Sequence, residues 1–333
     1  MTRTFNPLWT AWALCLAVLA AAPLQVQAQV KWRHGIVQAK ADAGFFYMAS
    51  EKGFFKARGL DVEFVNLRGN NDVTRALLAG ELDSGEPSPS SPLAAIANGA
   101  NIRFIGSSMP GLPFALFARK DIKNWQGLKG TTFAISAPGS ITDVLARAML
   151  KRQGVDPDSI KIANAGGSAG RIRALASGKV DATAASSEFI PAAEKLGIRI
   201  MGLSADIVPE YPRFVVVAKV DTLKGRREDV INFLAGYMEG LDYALKHREE
   251  TLKLSARIND KPVSAPEFGY IYDEAKLKGY VSVTSEIPRD KIEWLQSEML
   301  RLGDLKKKID LDQYIDESFR TEALQRAKIS SGR

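Results

Sequence analysis

The chain has 333 residues, a formal net charge of +7 at neutral pH and one cysteine. A chain of this length exceeds one comfortable hydrophobic core, so we expect two domains. Lysines and arginines are scattered among acidic residues and form no basic stripe with interleaved aromatics, which argues against nucleic-acid binding.

The first 28 residues have the layout of a secretory signal peptide. Arg3 gives a positive start, 14–22 is apolar and the small residue Ala28 ends the segment. We therefore expect cleavage near Ala28 and a periplasmic mature protein. A membrane anchor is the alternative, but it needs about 20 apolar residues and Pro23 interrupts the run. Cys15 lies in this segment, so the mature chain has no thiol for a disulfide, a nucleophile or a metal.

From Arg33 onward, short β-type runs alternate with amphipathic helices. This alternation predicts an α/β fold with mainly parallel sheets flanked by helices. The clearest helix follows Ser140 as N-cap, places apolar residues at helical spacing over 141–149 and stops at Gly154. Similar apolar stripes predict long helices over 230–245 and from about 288.

A nine-residue segment recurs at an offset of 98 positions. Residues 75–83 (Arg-Ala-Leu-Leu-Ala-Gly-Glu-Leu-Asp) match 173–181 (Arg-Ala-Leu-Ala-Ser-Gly-Lys-Val-Asp) at five of nine positions. A helix stopped by glycine before a strand is common in α/β proteins, so chance is the alternative. Because the matching extends to the preceding strand and glycine loop, we interpret the echo as two similar lobes. The chain leaves lobe one near Gly111 and returns near Tyr211, and two crossings make a hinge. The expected division is lobe one at 29–111 and 212–333 and lobe two at 112–211.

Several hydroxyl- or amide-bearing loops follow predicted strands in both halves. The carboxyl ends of parallel strands meet at one edge, where helix N-termini hold ligands and anions. N-capping and ordinary turns are the alternative roles for these residues, and Phe46 fits either an aromatic wall or the core. Neutral polar groups predominate, so we expect fixed dipoles, not an arginine cluster, to hold the ligand. Glu188 is the exception, and it has two alternative roles: contact with a cationic ligand group, or exposure to solvent. The candidate ligand-binding residues are Phe46, Asn70, Asn71, Ser88, Ser90, Ser91, Ser140, Ile141, Thr142, Ser168, Ser186, Ser187 and Glu188.

Enzymatic constellations are missing from the sequence. His34 and His247 are the two histidines, and neither neighbours a candidate nucleophile in the sequence. Two isolated histidines without cysteine make a zinc site improbable, and no dinucleotide or phosphate-loop motif is present. We therefore predict no catalytic residues, no metal and no cofactor.

In this order, several motifs resemble the nitrate/sulfonate/taurine-binding family of periplasmic ABC-transporter binding proteins. The resemblance implies a two-lobed type II periplasmic binding fold with the ligand between the lobes. It departs from the sulfonate binders at 187–189, where a Trp-Glu-Pro-like segment is often seen, so the implied ligand is only a small organic anion. The motifs lie at 49–63, 79–83, 98–100, 121–130, 136–140, 178–181 and 312–319.

The resemblance implies a non-enzymatic, monomeric protein that passes a small-molecule ligand to an ABC permease. A periplasmic receptor for a membrane sensor remains an alternative that the sequence does not separate from transport. A second alternative is the related pyrimidine-precursor synthase group of thiamine biosynthesis. That enzyme would need histidine and cysteine clusters, which the mature chain lacks.

Overall fold

The computed structural model describes residues 29–38 and 40–329. The predicted signal peptide, with Cys15, lies outside the described residues. Ten strands form two five-stranded sheets. The strands are β1 (Val30–Val37), β2 (Leu60–Leu67), β3 (Ser84–Glu86), β4 (Ile102–Gly106), β5 (Phe114–Ala118), β6 (Thr132–Ile135), β7 (Lys161–Asn164), β8 (Ala182–Ser186), β9 (Arg199–Leu203) and β10 (Val216–Lys219).

Thirteen α-helices lie within the described part of the chain, together with five short 3₁₀ helices. The α-helices are α1 (Ala43–Glu51), α2 (Asn70–Ala79), α3 (Ser90–Ala97), α4 (Ile141–Arg152), α5 (Ser168–Ala176), α6 (Ile190–Lys195), α7 (Ser204–Ile207), α8 (Val220–Gly225), α9 (Arg227–Lys246), α10 (Arg248–Ile258), α11 (Pro266–Leu277), α12 (Arg289–Leu302) and α13 (Glu317–Arg326). The three helices predicted from apolar stripes are therefore present as α4, α9 and α12.

The two sheets share one topology. The first has the strand order β2-β1-β3-β10-β4 and the second the order β7-β6-β8-β5-β9. In each sheet four strands point the same way and one, β10 or β5, is antiparallel. The predicted two-lobed fold with mainly parallel, helix-flanked sheets is confirmed.

The sequence echo has a structural counterpart at the aspartate that ends each repeat. Asp83 accepts a hydrogen bond from the backbone N–H of Arg33 at 2.7 Å, and Asp181 accepts one from Thr132 at 2.7 Å. Each aspartate thus ties the segment before the third strand in its sheet's order to the second strand, β1 or β6. The matched segments occupy equivalent places, because β3 and β8 are the third strands in the two orders.

The two antiparallel strands, β5 and β10, each directly follow a segment that connects the sheets. The chain crosses once between β4 and β5 and returns between β9 and β10. The two crossings are hydrogen-bonded together: the Phe214 N–H donates to the Met109 carbonyl at 3.1 Å, and the Ser204 hydroxyl donates to the Leu112 carbonyl at 2.6 Å. Two adjacent crossings have the arrangement of a hinge, in which a few residues absorb the change in backbone angles when two lobes move.

Apolar burial determines where the C-terminal helices pack. Helix α9 lies against α1 and α13 in the first lobe, and α12 contacts both α3 of the first lobe and α4 of the second. Trp32 of β1 stacks on Phe233 of α9, with ring centroids 5.5 Å apart and both side chains buried.

One detail of the predicted N-cap is wrong. Ser140 occupies the N-cap position of α4, but its side chain makes no capping hydrogen bond. Its hydroxyl accepts a hydrogen bond from Ser136 at 2.9 Å, and the Asp143 carboxylate accepts from the Gly139 N–H at 3.0 Å. The Ser140 hydroxyl thus bonds to Ser136 and not to the backbone of the helix. Sequence spacing alone does not reveal this contact.

Candidate functional site

A small cavity lies at the strand ends of the first sheet. Strands β1 and β3 end here and β10 begins here, so backbone from three neighbouring strands converges on one edge. Its volume of about 10 Å³ is the room needed for about one water molecule. The lining residues are Ile36, Val37, Gln38, Lys40, Asp42, Phe46, Glu86, Arg213 and Phe214.

Two of the charged lining residues neutralise each other. The Arg213 guanidinium, on the returning crossing, donates a hydrogen bond to the Asp42 carboxylate, and both side chains are buried. Arg213 also lies over the Phe214 ring, 4.4 Å from its centroid. A buried ion pair of this kind leaves neither charge free for a ligand.

Lys40, by contrast, has a free ammonium group at the same cavity. Its Nζ lies 5.5 Å from the ring centroid of Phe114, a residue of the second sheet. Within residues 29–38 and 40–329 no hydrogen-bond or ion-pair partner is present for this ammonium. Burial lowers the pKa of Lys40, and the nearby Glu188 carboxylate opposes that shift. A desolvated cation without a partner is a binding group for an anion.

Glu86 presents a carboxylate to the cavity from the end of β3, and its side chain is 1% exposed. The Tyr237 hydroxyl donates to it at 2.6 Å, and the Ser108 hydroxyl donates to the other oxygen. Burial beside this carboxylate raises the pKa of Tyr237 well above its usual value, so the phenol stays a donor. His34 Nε2 lies 3.5 Å from the same carboxylate.

The second lobe reaches this region through the loop after β8. Glu188 Oε2 accepts a hydrogen bond from the Ala41 N–H at 3.0 Å, directly across the gap between the lobes. Burial raises the pKa of Glu188, and the Lys40 ammonium opposes the shift. The adjacent Ser187 hydroxyl donates to the Glu274 carboxylate of α11, so two successive residues tie the lobes together.

Arg171, on α5 of the second lobe, is another buried cation, and its side chain is 2% exposed. It donates to the Ser168 hydroxyl at 3.0 Å and to the Ala184 carbonyl at 3.1 Å, and it also donates to the Gly166 carbonyl. Burial lowers the pKa of Arg171 to about 10. No carboxylate pairs with it in the described part of the chain, and its positive charge contributes to lowering the pKa of Lys40.

Three of the predicted ligand residues lie at the cavity or across it. Phe46 lines the cavity, and Ser187 and Glu188 make the contacts between the lobes. Glu188 therefore does not point to solvent, which was one of its two alternatives. The prediction that these residues touch a ligand stays a prediction.

The predicted residues of α2 and α3 bond mainly to one another. The Asn70 side-chain oxygen accepts from the Ser88 N–H at 2.8 Å, and the Ser91 hydroxyl donates to Thr74 at 2.8 Å. Ser90 lies 3.5 Å from the Ser88 hydroxyl, and Asn71 is exposed. None of these side chains lines the described cavity.

The predicted residues of the second lobe form two further local networks. The hydroxyls of Ser140 and Thr142 lie 3.0 Å apart and both contact Ser136, whereas the Ile141 side chain is buried. The Ser186 N–H donates to the Ser168 hydroxyl at 3.4 Å. Their roles as ligand contacts also remain predictions.

Sequence analysis missed the charged residues at the cavity. The cavity lining carries four charged residues, Lys40, Asp42, Glu86 and Arg213, whereas the sequence led us to expect mainly neutral dipoles around the ligand. Which groups hold a ligand stays a prediction. The available signal was position: Lys40 and Asp42 follow β1, Glu86 ends β3 and Arg213 precedes β10. The pattern of hydroxyls, amides and glycines at strand ends does not include these charged side chains.

The described residues contain no cluster of three or more histidine, cysteine, aspartate or glutamate side chains suited to hold a metal. Within the same residues, every helix is too short or too polar to cross a bilayer.

Comparison with known families identifies the group to which this fold belongs. A family model described as NMT1/THI5 like matches residues 40–251, which is more than half of the chain. The chain belongs to the NMT1/THI5-like family. The matched region runs from the free lysine at the cavity into α10, so it includes all of the second sheet.

One curated relative of this NMT1/THI5-like chain is YtlA of Bacillus subtilis (strain 168), whose name assigns it provisionally to the binding proteins. The two are 23% identical over 286 residues, which cover 81% of this chain and 83% of YtlA.

Two solved structures illustrate how far the NMT1/THI5-like fold is shared. The alkanesulfonate-binding protein SsuA from Xanthomonas axonopodis pv. citri, bound to MOPS, has a TM-score of 0.71 and 17% identity, over 87% of this chain and 100% of SsuA. The periplasmic nitrate-binding protein NrtA from Synechocystis PCC 6803 has a TM-score of 0.74 and 16% identity, over 91% of this chain and 90% of NrtA. Both similarities confirm the periplasmic-binding-protein fold.

Proposed function

We propose that this protein is the solute-binding component of an ABC importer and captures a small organic anion, a sulfonate or a carboxylate, between its two lobes. The observation that carries the proposal is the ammonium group of Lys40. It borders the cavity, faces the second lobe and has no hydrogen-bond or ion-pair partner among the described residues. An anionic ligand group would supply that partner.

Neighbouring groups support the same ligand class. The positive charge of Arg171 is felt at Lys40, since it contributes to lowering the pKa of that lysine. The rings of Phe46, Phe114 and Phe214 lie close to the cationic groups and suit an apolar or aromatic ligand body. Two structurally similar proteins, the alkanesulfonate-binding SsuA and the nitrate-binding NrtA, are named for anions.

The proposed mechanism is closure about the two crossings. We propose that they divide the chain into 29–111 with 212–333 and 112–211, as the sequence echo indicates. Ligand binding to both lobes would select the closed population, in which Glu188 meets the Ala41 N–H. The closed monomer would then dock on an inner-membrane permease in the periplasm, after removal of a signal peptide near Ala28.

A ligand screen tests this function. The protein is unfolded, refolded to remove carried ligand and screened by thermal shift against aliphatic and aromatic sulfonates, carboxylates, inorganic oxyanions and amino acids. A ligand at about 100 times its Kd adds about 2.7 kcal/mol to stability, which gives a clear rise in Tm. We expect sulfonates or carboxylates to raise Tm and to compact the protein in small-angle scattering. Binding without compaction would contradict closure.

Replacement of Lys40 tests the observation on which the proposed function rests. Lys40→Met removes a charge-assisted hydrogen bond worth about 1.5–3 kcal/mol, so anion affinity should fall by about 10- to 100-fold in calorimetry. Lys253→Met is the matched control, because Lys253 is exposed on α10. Equal anion affinity in Lys40→Met and the wild type would refute the role of Lys40.

A further inference from the structure

The three residues that precede α1 face three different parts of the molecule. Lys40 borders the cavity, and the N–H of Ala41 donates to Glu188 of the second lobe at 3.0 Å. The next residue, Asp42, forms an ion pair with Arg213 on the crossing that returns from the second lobe. Three successive residues therefore contact the cavity, the opposite lobe and a crossing.

Hydrogen bonds restrain this segment, 40–42, as a closed turn. The Lys40 carbonyl accepts from the Ala43 N–H at 2.9 Å and from the side-chain amide of Asn259 at 2.9 Å. Because these bonds close the turn, its residues move together. A displacement of Asp42 therefore also displaces the ammonium group of Lys40.

The Asp42 carboxylate bonds to the crossing and not to its own helix. Asp42 occupies the N-cap position of α1, where an aspartate side chain usually accepts a backbone N–H of the first turn. Here it makes no capping bond, and its partner is the guanidinium of Arg213, 171 positions later. Both side chains are 4% exposed, so solvent screens their attraction little.

Arg213 contacts both crossings at once. It lies on the returning crossing, and its guanidinium also contacts the sulfur of Met109 on the outgoing crossing. The next residue, Phe214, donates its N–H to the Met109 carbonyl at 3.1 Å, and its own carbonyl accepts from the Ser107 hydroxyl at 2.6 Å. The position of the guanidinium therefore follows the position of the two crossings.

We propose that Arg213 is a positioning residue that couples anion binding at Lys40 to the hinge. Its ion pair with Asp42 sets the place of segment 40–42 relative to the two crossings, so that the lysine meets the anion and the segment meets the second lobe in one hinge position. Without the pair, the segment no longer follows the crossings, and the lysine contributes less to binding. This inference rests on the proposed function, because it needs an anion bound at Lys40.

A double-mutant cycle measured by calorimetry tests this coupling. Asp42→Asn with Arg213→Gln removes both charges and leaves no buried charge unpaired. The probes are propanesulfonate, benzenesulfonate and benzoate, and the cycle uses the one that binds the wild type most tightly. Lys40→Met should weaken its binding by about 10- to 100-fold when the ion pair is present, and by about 3-fold or less when the pair is absent.

A second ion pair provides the control. Arg58 and Glu239 form a largely buried pair in the first lobe, and neither residue lines the cavity. Arg58→Gln with Glu239→Gln should keep the full effect of Lys40→Met, because substitutions without shared contacts add. A general loss of stability therefore does not imitate the expected result.

Hydrogen exchange measured by mass spectrometry needs no change at the Asp42–Arg213 pair, so it decides even if that double variant does not fold. In the wild type, we expect the saturating probe to slow exchange in both 40–45 and 208–215. In Lys40→Met saturated with the same probe, the slowing in 208–215 should be lost. Equal slowing there in Lys40→Met and the wild type would refute the coupling.

The outcomes separate this inference from the proposed function. If Lys40→Met weakens binding equally with and without the Asp42–Arg213 pair, Arg213 does not position the lysine, and anion capture stands. If no probe binds the wild type, or if Lys40→Met binds as tightly as the wild type, anion capture at Lys40 fails and the inference fails with it.

Discussion

Glu188 places a carboxylate between two lobes, and its ionisation is therefore coupled to their closure. Its pKa is raised chiefly by burial, and Asp42 adds to that rise, whereas Lys40 and Arg213 oppose it. In an open form the same carboxyl group would face water and titrate near the ordinary value of about 4.3. Closure therefore favours the protonated carboxyl group.

The sign of the pH dependence follows from that shift. A raised pKa in the closed form contributes closure stability that is fully present below the open-form pKa and is lost as pH rises through the closed-form pKa. We expect anion affinity to increase as pH falls from about 8 to about 5, while sulfonate probes stay ionised. Calorimetry across this range measures the slope.

Substitution of the carboxylates separates their contributions. Glu188→Gln should reduce the pH slope and bind anions more tightly near pH 8, because the buried negative charge is removed. Glu274 also has a pKa raised by burial, so the double variant with Glu274→Gln should lose more of the slope. A wild-type affinity that weakens towards pH 5 would contradict this account.

At the scale of elements, the first lobe depends on close contact between α1 and α9. Gly240 of α9 lies so near Ala49 of α1 that an added Cβ would be 2.5 Å from the Ala49 side chain and 2.6 Å from its backbone nitrogen. Backbone cannot move aside as a flexible side chain can. Because Gly240 has no side chain, α1 and α9 can approach closely. The apolar stripe of α9 alone does not predict so close an approach.

Gly240→Ala should therefore destabilise the protein. Alanine favours helix by about 1 kcal/mol over glycine, but forcing atoms into a packed interface costs about 1–3 kcal/mol or more. We expect a lower Tm by calorimetry. Gly225→Ala at the end of α8 is the control, because nothing lies within 4 Å of its added Cβ. A Gly240→Ala protein as stable as the control variant would show that the helices can separate at little cost.

At the scale of the whole molecule, the C-terminal half of the chain contacts the second lobe as well as the first. Glu274 of α11 accepts hydrogen bonds from Ser187 of the second lobe and, at 3.2 Å, from Tyr280. The Tyr280 ring lies against Gly111 on the outgoing crossing, where an added Cβ would be 2.2 Å away. One carboxylate thus links the ligand-side loop of the second lobe to the crossing.

Ser187→Ala tests this link between the lobes. Loss of the Ser187 hydroxyl removes a hydrogen bond to the Glu274 carboxylate, worth about 1.5–3 kcal/mol, from the closed form only. We expect release of a bound anion to accelerate by about 10-fold or more while association changes little, as measured by stopped-flow fluorescence. Ser177→Ala is the control, since that hydroxyl is exposed and bonds within α5. Unchanged release in Ser187→Ala would show that the contact does not hold the lobes closed.

Local sequence determined the elements and the pairing of the two halves. The apolar spacing after Ser140 predicts α4 because helical periodicity depends only on neighbours along the chain. The echo of Asp83 at Asp181 predicts two similar lobes, and in the structure each aspartate accepts a backbone hydrogen bond from the neighbouring strand, β1 or β6, in the same way. The general place of the site, at strand ends between lobes, followed from the topology that these patterns imply.

Tertiary structure alone decided which charges are free. Arg213 and Asp42 are 171 positions apart, so the sequence does not reveal that they neutralise each other. Lys40 and Glu86 look no different from other charged residues in the sequence, yet folding leaves Lys40 without a hydrogen-bond or ion-pair partner in the described part of the chain and gives Glu86 two hydroxyl donors. The energy of a charge depends on what surrounds it in space. The sequence therefore determines the type and position of each charged residue, and only the packing of distant segments determines what each can bind.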